Sequence, residues 1–596
     1  MKNKYTQVII MIVAFLVLGI TTIASYAYFT ATLQGNDRAY DTVITSGDMA
    51  LMLNDGAQVS LANAIPGDSI TKEFSVKNTG TVETTYDVYL SEIINLFEDK
   101  NDLVFRISST NGCSNNDENI FPSAVGDQSK IVSACSINPN QTHDYQLIIT
   151  FKNDGTNQDD NQSKSVISKI SVNEYDSVAY LIDGWNFQNA LKGITGSTFQ
   201  NEKTNLIKHI NVVDSDPDSS VETINIADES SNTDVLMWLD DDTAKIYTTA
   251  KDIYLNDNSE YMFYYLELNE LDLSNFNTSL VTNMSAFFDT MTAEEITLGE
   301  HFDTSNVKNM NYMFNATSLN SYDLINDLDF SNVETLYKFL GNTTKEIDIE
   351  LKNIYLPKAR DFRYMFNSSK FRNIKFTNVE APKINDVTMF FKYIEAETIT
   401  FENSFNSTSM KVMREFVYGA NNLVSFDFGS FNIKGTEELT HVFSSCPKLA
   451  NLNLGSNFDT SQTKKIDNFI SDGMLEEFDL GEKFDTSNMQ EIRYIVSGNE
   501  NLKVIHLGNK FDITPTIDIY GLIISPAITT IYIGPDAKVY PNTSKNVING
   551  YDGVAPYLVG GAGTTFDPEN NTAEYLRIDD PANGKPGYFT LDPRYQ

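Results

Sequence analysis

Five histidines and three cysteines are the residues of this 596-residue chain best suited to metal or nucleophilic chemistry. His143, His209, His301, His441 and His506 lie far apart, and none is followed by glutamate. The His-Glu-x-x-His arrangement, which sets two imidazoles on one helical face with a carboxylate for the metal-bound water, is therefore missing from the sequence. His143, beside Asp144, reads as a surface histidine at the start of a strand. Cys446 lies close to Phe443 and Leu449 and reads as a small buried hydrophobe rather than a nucleophile. Cys113 and Cys135 match no zinc spacing; in an exported chain they are candidates for a disulfide. Asp214-Ser215-Asp216-Pro217-Asp218 opens like a calcium loop. It has Ser219 where the sixth-position glycine belongs and Asn225 where the bidentate glutamate belongs. That run and Asp240-Asp241-Asp242 read as acidic surface loops. No catalytic, cofactor-binding or metal-binding residue is expected, and the chain reads as a non-enzyme.

Charge narrows the partners. Forty-three basic against 81 acidic side chains give a net charge of −38, which repels a phosphate backbone, so nucleic acid is not an expected ligand. The N-terminus sets the compartment. Lys2 and Lys4 precede an apolar run over residues 8–20, and Ser25-Tyr26-Ala27 offers the small residues a signal peptidase reads. Cleavage is expected between Ala27 and Tyr28. Uncleaved, residues 8–29 are long enough to cross ~30 Å of hydrocarbon, the one expected route to a membrane.

Residues 28–178 carry short alternating runs broken by turn signals, the pattern of an all-β sandwich of immunoglobulin or jelly-roll type. Asn54-Asp55-Gly56, Pro66-Gly67-Asp68 and Asn78-Thr79-Gly80 mark the turns. The signal segment running into Tyr28-Phe29-Thr30, the Ser46-Gly47-Asp48 step and the Pro66-Gly67-Asp68…Asn78-Thr79-Gly80 stretch resemble the camelysin/TasA-like secreted fibre proteins. That resemblance implies attachment or assembly at a cell surface, with a TasA-like fibre protein or a second copy of this chain as partner. Tyr28-Phe29-Thr30-Ala31-Thr32-Leu33 would be the strand that complements a neighbouring subunit, or else pairs within its own sandwich. Camelysin is described as a metallopeptidase, and the histidine spacing above speaks against that activity here.

Residues 179–233 read as a linker with short helices. From 234 to 535 the chain repeats itself. Phe302-Asp303-Thr304-Ser305-Asn306-Val307 recurs as Phe458-Asp459-Thr460-Ser461 and as Phe484-Asp485-Thr486-Ser487-Asn488-Met489. The anchors Phe263, Phe288, Phe314, Phe339, Phe366, Phe391, Phe416, Phe443, Phe469 and Ile495 follow at steps of 25 to 27 residues, within the leucine-rich-repeat range. Val281, Met284, Phe287 and Phe288 fall near helical spacing, which predicts a strand and a helix-like turn per unit, an α/β solenoid. The run from Phe302 to Phe314, ending Asn309-Met310-Asn311-Tyr312-Met313-Phe314, resembles the BspA-like leucine-rich-repeat surface proteins, and residues 536–596 resemble their closing segment. This resemblance implies adhesion, with a host or bacterial surface protein or glycan as partner. The expectation is a secreted protein at the cell surface of a Gram-positive-type bacterium, acting in adhesion or biofilm-matrix structure. The alternatives are a monomeric secreted binding protein and a camelysin-like exported peptidase.

Overall fold

A computed structural model describes residues 29–33, 41–46, 49–122, 129–155, 158–161, 163–175, 177–196, 206–539, 557–567, 570 and 574–596. The cleavage candidates Ala27 and Tyr28 and the apolar run before them lie outside the described residues. The chain forms two units, Met1–Asp176 and Ser177–Gln596. Among the described residues no helix is long and apolar enough to cross a membrane.

The first unit is two sheets that share one apolar cluster. Its strands are β1 (Phe29–Leu33), β2 (Asp41–Ser46), β3 (Met49–Asn54), β4 (Val59–Ala64), β5 (Ser69–Asn78), β6 (Thr84–Asn95), β7 (Leu103–Ser109), β8 (Asn115–Ile120), β9 (Ser129–Ile137), β10 (Thr142–Phe151) and β11 (Ser165–Glu174). One sheet runs β4-β1-β11-β6-β9 and the other β2-β3-β5-β10-β7-β8. Alternation decides the inward faces: Tyr145, Leu147, Ile149 and Phe151 of β10 meet Val88, Leu90, Val166 and Val172 from the opposite sheet in the core. Asn78 shows why the Asn-Thr-Gly signal matters. Its buried side chain donates to Val82 O and Ile137 O at 2.7 and 3.0 Å and accepts from Gly80 N at 2.8 Å.

Of the two alternatives for the N-terminal strand, the structure has the pairing within its own sandwich. β1 lies inside its own sheet, parallel to β11 (Thr30 opposite Ser165) and antiparallel to β4 (Leu33 opposite Val59). Both of its edges are paired within the chain, so it is not presented to a neighbouring subunit.

The second unit is a β-solenoid, not the expected α/β solenoid. Its one α-helix among the described residues, α1 (Gly184–Ile194), precedes the repeats. The helical spacing of Val281, Met284, Phe287 and Phe288 is real in that all are buried, but the hydrogen bonds go elsewhere. Met284, Ala286, Phe288 and Thr290 donate their N–H groups to Asn309, Asn311, Met313 and Asn315 of the next turn. A helix would direct those bonds four residues back; here every second amide runs along the solenoid axis. Left-handed backbone at Ala286 and Thr290 (φ 52° and 57°) makes the alternation geometrically attainable.

The same bonds define the register. Phe263, Phe288, Phe314, Leu340, Phe366, Phe391, Val417, Phe443, Ile470 and Val496 each donate to the next turn from the equivalent position. The anchors Phe339, Phe416, Phe469 and Ile495 are thus shifted by one residue relative to the others, although all are buried. Two adjacent apolar residues are buried in these turns, so burial alone does not set the register. Parallel ladders continue the stacking, for example Ile349–Lys352 through Asn373–Thr377 and Thr398–Glu402 to Ser425–Asp427 and Asn451–Asn453. Inside, stacked phenylalanines follow the axis, with ring centroids of Phe288 and Phe314 5.2 Å apart and of Phe376 and Phe401 4.5 Å apart.

The Asp-Thr-Ser-Asn motif is a set of clips between turns. Asp303 Oδ1 accepts from Ser305 N at 2.8 Å, an Asx turn. Thr304, 2% exposed, donates to Asp329 O at 2.9 Å and accepts from Asp329 N at 2.7 Å. Asn306 reaches back to Ser279 O at 2.8 Å. Thr460 and Thr486 repeat the forward clip to Asp485 and Asp512, and Asn488 repeats the backward one to Ser461.

Both ends of the solenoid are covered. The described residues of the expected linker, 179–196 and 206–233, belong to the second unit. Val178–Tyr180 pairs in parallel with Asp252–Tyr254, and His209–Val212 and Ile224–Asn225 flank a hairpin of Val235–Asp240 and Thr243–Thr248. Asp183 caps α1 by accepting from Asn186 N at 3.1 Å, and Phe187 packs on Phe263 with centroids 5.8 Å apart. A strand pattern was not legible there because the strands are short and α1 interrupts them. At the other end Thr590–Leu591 joins Thr530–Ile533 in parallel. Asp592, fully buried, accepts from His506 at 2.9 Å and from Arg594 at 2.6 and 3.0 Å, and Arg594 also binds Asp479. These contacts hold the Asp592 carboxyl far below the usual carboxylate range despite its burial.

Two outcomes follow. Thr304→Val keeps the shape but removes both part-buried bonds to the Asp329 backbone, and should cost about 1 kcal/mol, while Thr304→Ser costs less; chemical denaturation of the two variants checks the order. A fragment of Ser177–Gln596 should stay soluble and unfold cooperatively. One beginning at Asp234 loses α1, uncovers Phe263 and should aggregate in light scattering. Equal solubility of both would show that residues 177–233 are not a cap.

Candidate binding face

The left-handed positions of the repeat create two columns that are half-buried in most turns. Two residues before each structural anchor stand Tyr261, Ala286, Tyr312, Lys338, Tyr364, Met389, Glu415, His441, Asn468 and Tyr494, with φ from 47° to 62°. Positive φ in such side chains is strained and persists because the ladder bonds on both sides fix the backbone. One residue earlier stand Glu260, Ser285, Asn311, Tyr337, Arg363, Thr388, Arg414, Thr440, Asp467 and Arg493. The two columns lie side by side along the axis.

In the N-terminal turns this face is aromatic. Trp185 of α1, Tyr261 and Tyr264 open it, and Tyr312, Tyr337 and Tyr364 continue it with centroids 5.3 and 5.4 Å apart. Lys338 lies 5.7 Å from the Tyr312 centroid and Arg363 5.5 Å from that of Tyr337, within cation–π range. Arg363 is itself paired with Asp361 at 2.7 Å. Further on, Lys392 sits 5.3 and 5.2 Å from the Tyr393 and Tyr418 centroids and pairs with Glu415 at 2.7 Å. Burial pushes the Tyr312 hydroxyl up to about 12, so it stays protonated near neutral pH. Beneath the face, Asp289 is 8% exposed. It accepts from Asn315 at 2.6 Å and from Thr290 at 3.0 Å, and burial raises its carboxyl above the usual range.

This arrangement suits binding. Half-buried tyrosines offer flat apolar faces, hydroxyls and little entropy to lose, which is why they concentrate at recognition surfaces. Sequence reading missed the face because it followed the anchors inward. Applying the same period to the residue two places before each anchor would have found Tyr261, Tyr312 and Tyr364.

The other candidate residues fall elsewhere. Cys446 is fully buried, and burial pushes its thiol up to about 12. Asp218 closes an Asx turn with Ser220, and Asp240 pairs with Lys245. Among the described residues no group of three or more His, Cys, Asp or Glu side chains could hold a metal ion. Cys113 and Cys135 are joined in a disulfide, their Cα atoms 5.6 Å apart. His143 is not the surface histidine expected: it is 4% exposed. Its Nδ1 lies 2.8 Å from the Tyr86 hydroxyl, which is 2.6 Å from that of Tyr145, and Tyr145 donates to Cys135 Sγ at 3.4 Å. Position 143 is on the inward side of β10, which strand alternation carries into the core.

Burial also lowers the His143 pKa below the ordinary 6.5. The sign is then fixed: the unfolded chain binds the proton more readily, so this stabilisation is complete above pH 6.5 and is lost as pH falls toward the folded value. The expected outcome is an imidazole NMR signal for His143 that titrates below those of exposed histidines. A normal titration midpoint would contradict the buried cluster.

No curated protein matches the chain. A family model described as camelysin metallo-endopeptidase matches residues 2–106, a stretch that ends before His143. The repeat region is similar to a family described as Mycoplasma protein of unknown function, DUF285, whose model matches residues 257–379 and again 361–480.

Proposed function

We propose that this chain is an exported, cell-surface binding protein rather than an enzyme, with the solenoid as its adhesive element. The tyrosine-lined face carries the reading: Tyr261, Tyr312, Tyr337 and Tyr364 stand on two adjacent columns that repeat from turn to turn, and the last three rings follow one another at 5.3 and 5.4 Å. Support for export comes from the lysine-led apolar N-terminus and from the camelysin-type match over residues 2–106. The partner would be a surface protein or glycan of a host or neighbouring cell, since a stepped row of rings suits an extended ligand better than a small substrate. Because β1 is paired within its own sheet, the protein works as a secreted or surface-held monomer in this reading.

The test uses the purified full chain on arrays of extracellular-matrix proteins and bacterial and host glycans. Tyr312→Asn, Tyr337→Ser and Tyr364→Asn combined keep residues that tolerate the backbone at 312 and 364. They should weaken binding by at least about tenfold, as loss of central aromatic contacts does, with the melting temperature little changed. Unaltered binding by this variant would move the interaction off the face.

A further inference from the structure

Along the tyrosine face the protein covers its own rings. Lys338 lies over Tyr312 and Arg363 over Tyr337, each cation coming from the equivalent position one turn later. At the N-terminal end the pattern stops. One turn beyond Tyr261 stands Ala286, and one turn beyond Glu260 stands Ser285, neither of which carries charge. A hollow of about 360 Å³ is found there, lined by Trp185, Asn258, Glu260, Tyr261 and Tyr264. The Trp185 and Tyr261 rings meet at 72° with centroids 5.4 Å apart, and Tyr261 and Tyr264 at 77° and 5.3 Å. Near-perpendicular rings present π-faces to one opening from more than one side. Lys192 of the same helix is engaged over the neighbouring ring, Tyr265, at 5.7 Å. Charge agrees with the rings: Glu260 stands on the rim, accepting from Asn283 at 3.3 Å, and the buried Asp289 lies one turn beyond Tyr264.

We propose that this hollow binds a quaternary ammonium group, held by cation–π contact with Trp185, Tyr261 and Tyr264 and by the charge of Glu260. Two later turns are the internal template, since Lys338 over Tyr312 and Arg363 over Tyr337 supply the cation that neither Ala286 nor Ser285 provides here. A metal ion is a poorer match, because besides the neutral phenol hydroxyls of Tyr261 and Tyr264 the lining offers only the side-chain oxygens of Asn258 and Glu260, a single carboxylate among them. A weakly hydrated organic cation enters aromatic walls at low desolvation cost. The proposal does not rest on the adhesive reading: it concerns the N-terminal end of the face and would hold if Tyr312, Tyr337 and Tyr364 bound nothing.

Saturation-transfer NMR of the full chain with choline, and with 3,3-dimethylbutan-1-ol as the neutral carbon isostere, tests it directly. Choline should bind saturably and the isostere at least about tenfold more weakly, a difference of about 1.4 kcal/mol. Trp185→Leu and Glu260→Gln should each weaken choline by about tenfold or less without changing the fold by circular dichroism. Equal binding of the isostere would make the hollow merely apolar and overturn the proposal. So would the lack of a saturable choline signal in the unmodified protein, which no folding defect could explain.

Discussion

The whole second unit depends on where its backbone amides point. In each turn every second N–H runs along the axis to a carbonyl of the next turn, and the residues between bend the chain through left-handed backbone. A turn taken alone would leave those donors unmet and its aromatic core open on both sides, so neighbours are obligatory. The buried threonines Thr278, Thr304, Thr460 and Thr486 reinforce the same axis with side-chain bonds. Ends are the weak points of such a stack. α1 and its short strands cover one end, and the His506–Asp592–Arg594–Asp479 network fastens the other.

That constraint also shapes the surface. Because backbone position repeats from turn to turn, a side chain's identity can change while its place does not. In the N-terminal turns the two columns include Tyr261, Tyr312, Tyr337 and Tyr364. In the C-terminal turns Arg414 and Arg493 of the same columns pair with Glu438 and Asp518. Exposed pairs of this kind contribute little stability, at most about 1 kcal/mol each. One scaffold thus presents clustered tyrosine rings over part of its length and surface ion pairs over the rest.

The first unit obeys a different rule. Its register follows from strand alternation, which sends Tyr145, Leu147, Ile149 and Phe151 inward together and takes His143 with them. The hydroxyls of Tyr86 and Tyr145 and the Cys113–Cys135 disulfide then surround the imidazole, so a residue type often associated with chemistry is spent on packing and hydrogen bonding.

Much of this was legible in the amino-acid order. The period of 25 to 27 residues, the Asp-Thr-Ser-Asn motif and the buried aromatics are local repetitions, and repetition survives without coordinates. Alternating runs likewise marked the strands of the first unit. What the sequence could not decide was the partner of each hydrogen bond. Spacing of three and four fits a helix as well as a turn stacked on its neighbour, and only the neighbour's position selects the β-solenoid. Phe339 and Leu340 are both apolar and both buried, so register required the ladder itself. Trp185 and Tyr261 are 76 positions apart by their numbers, and only folding of residues 177–233 onto the first turn brings their rings within 5.4 Å. Local pattern determined the repeating unit; contacts between units, which depend on long-range packing, decided the fold, the cap and the face.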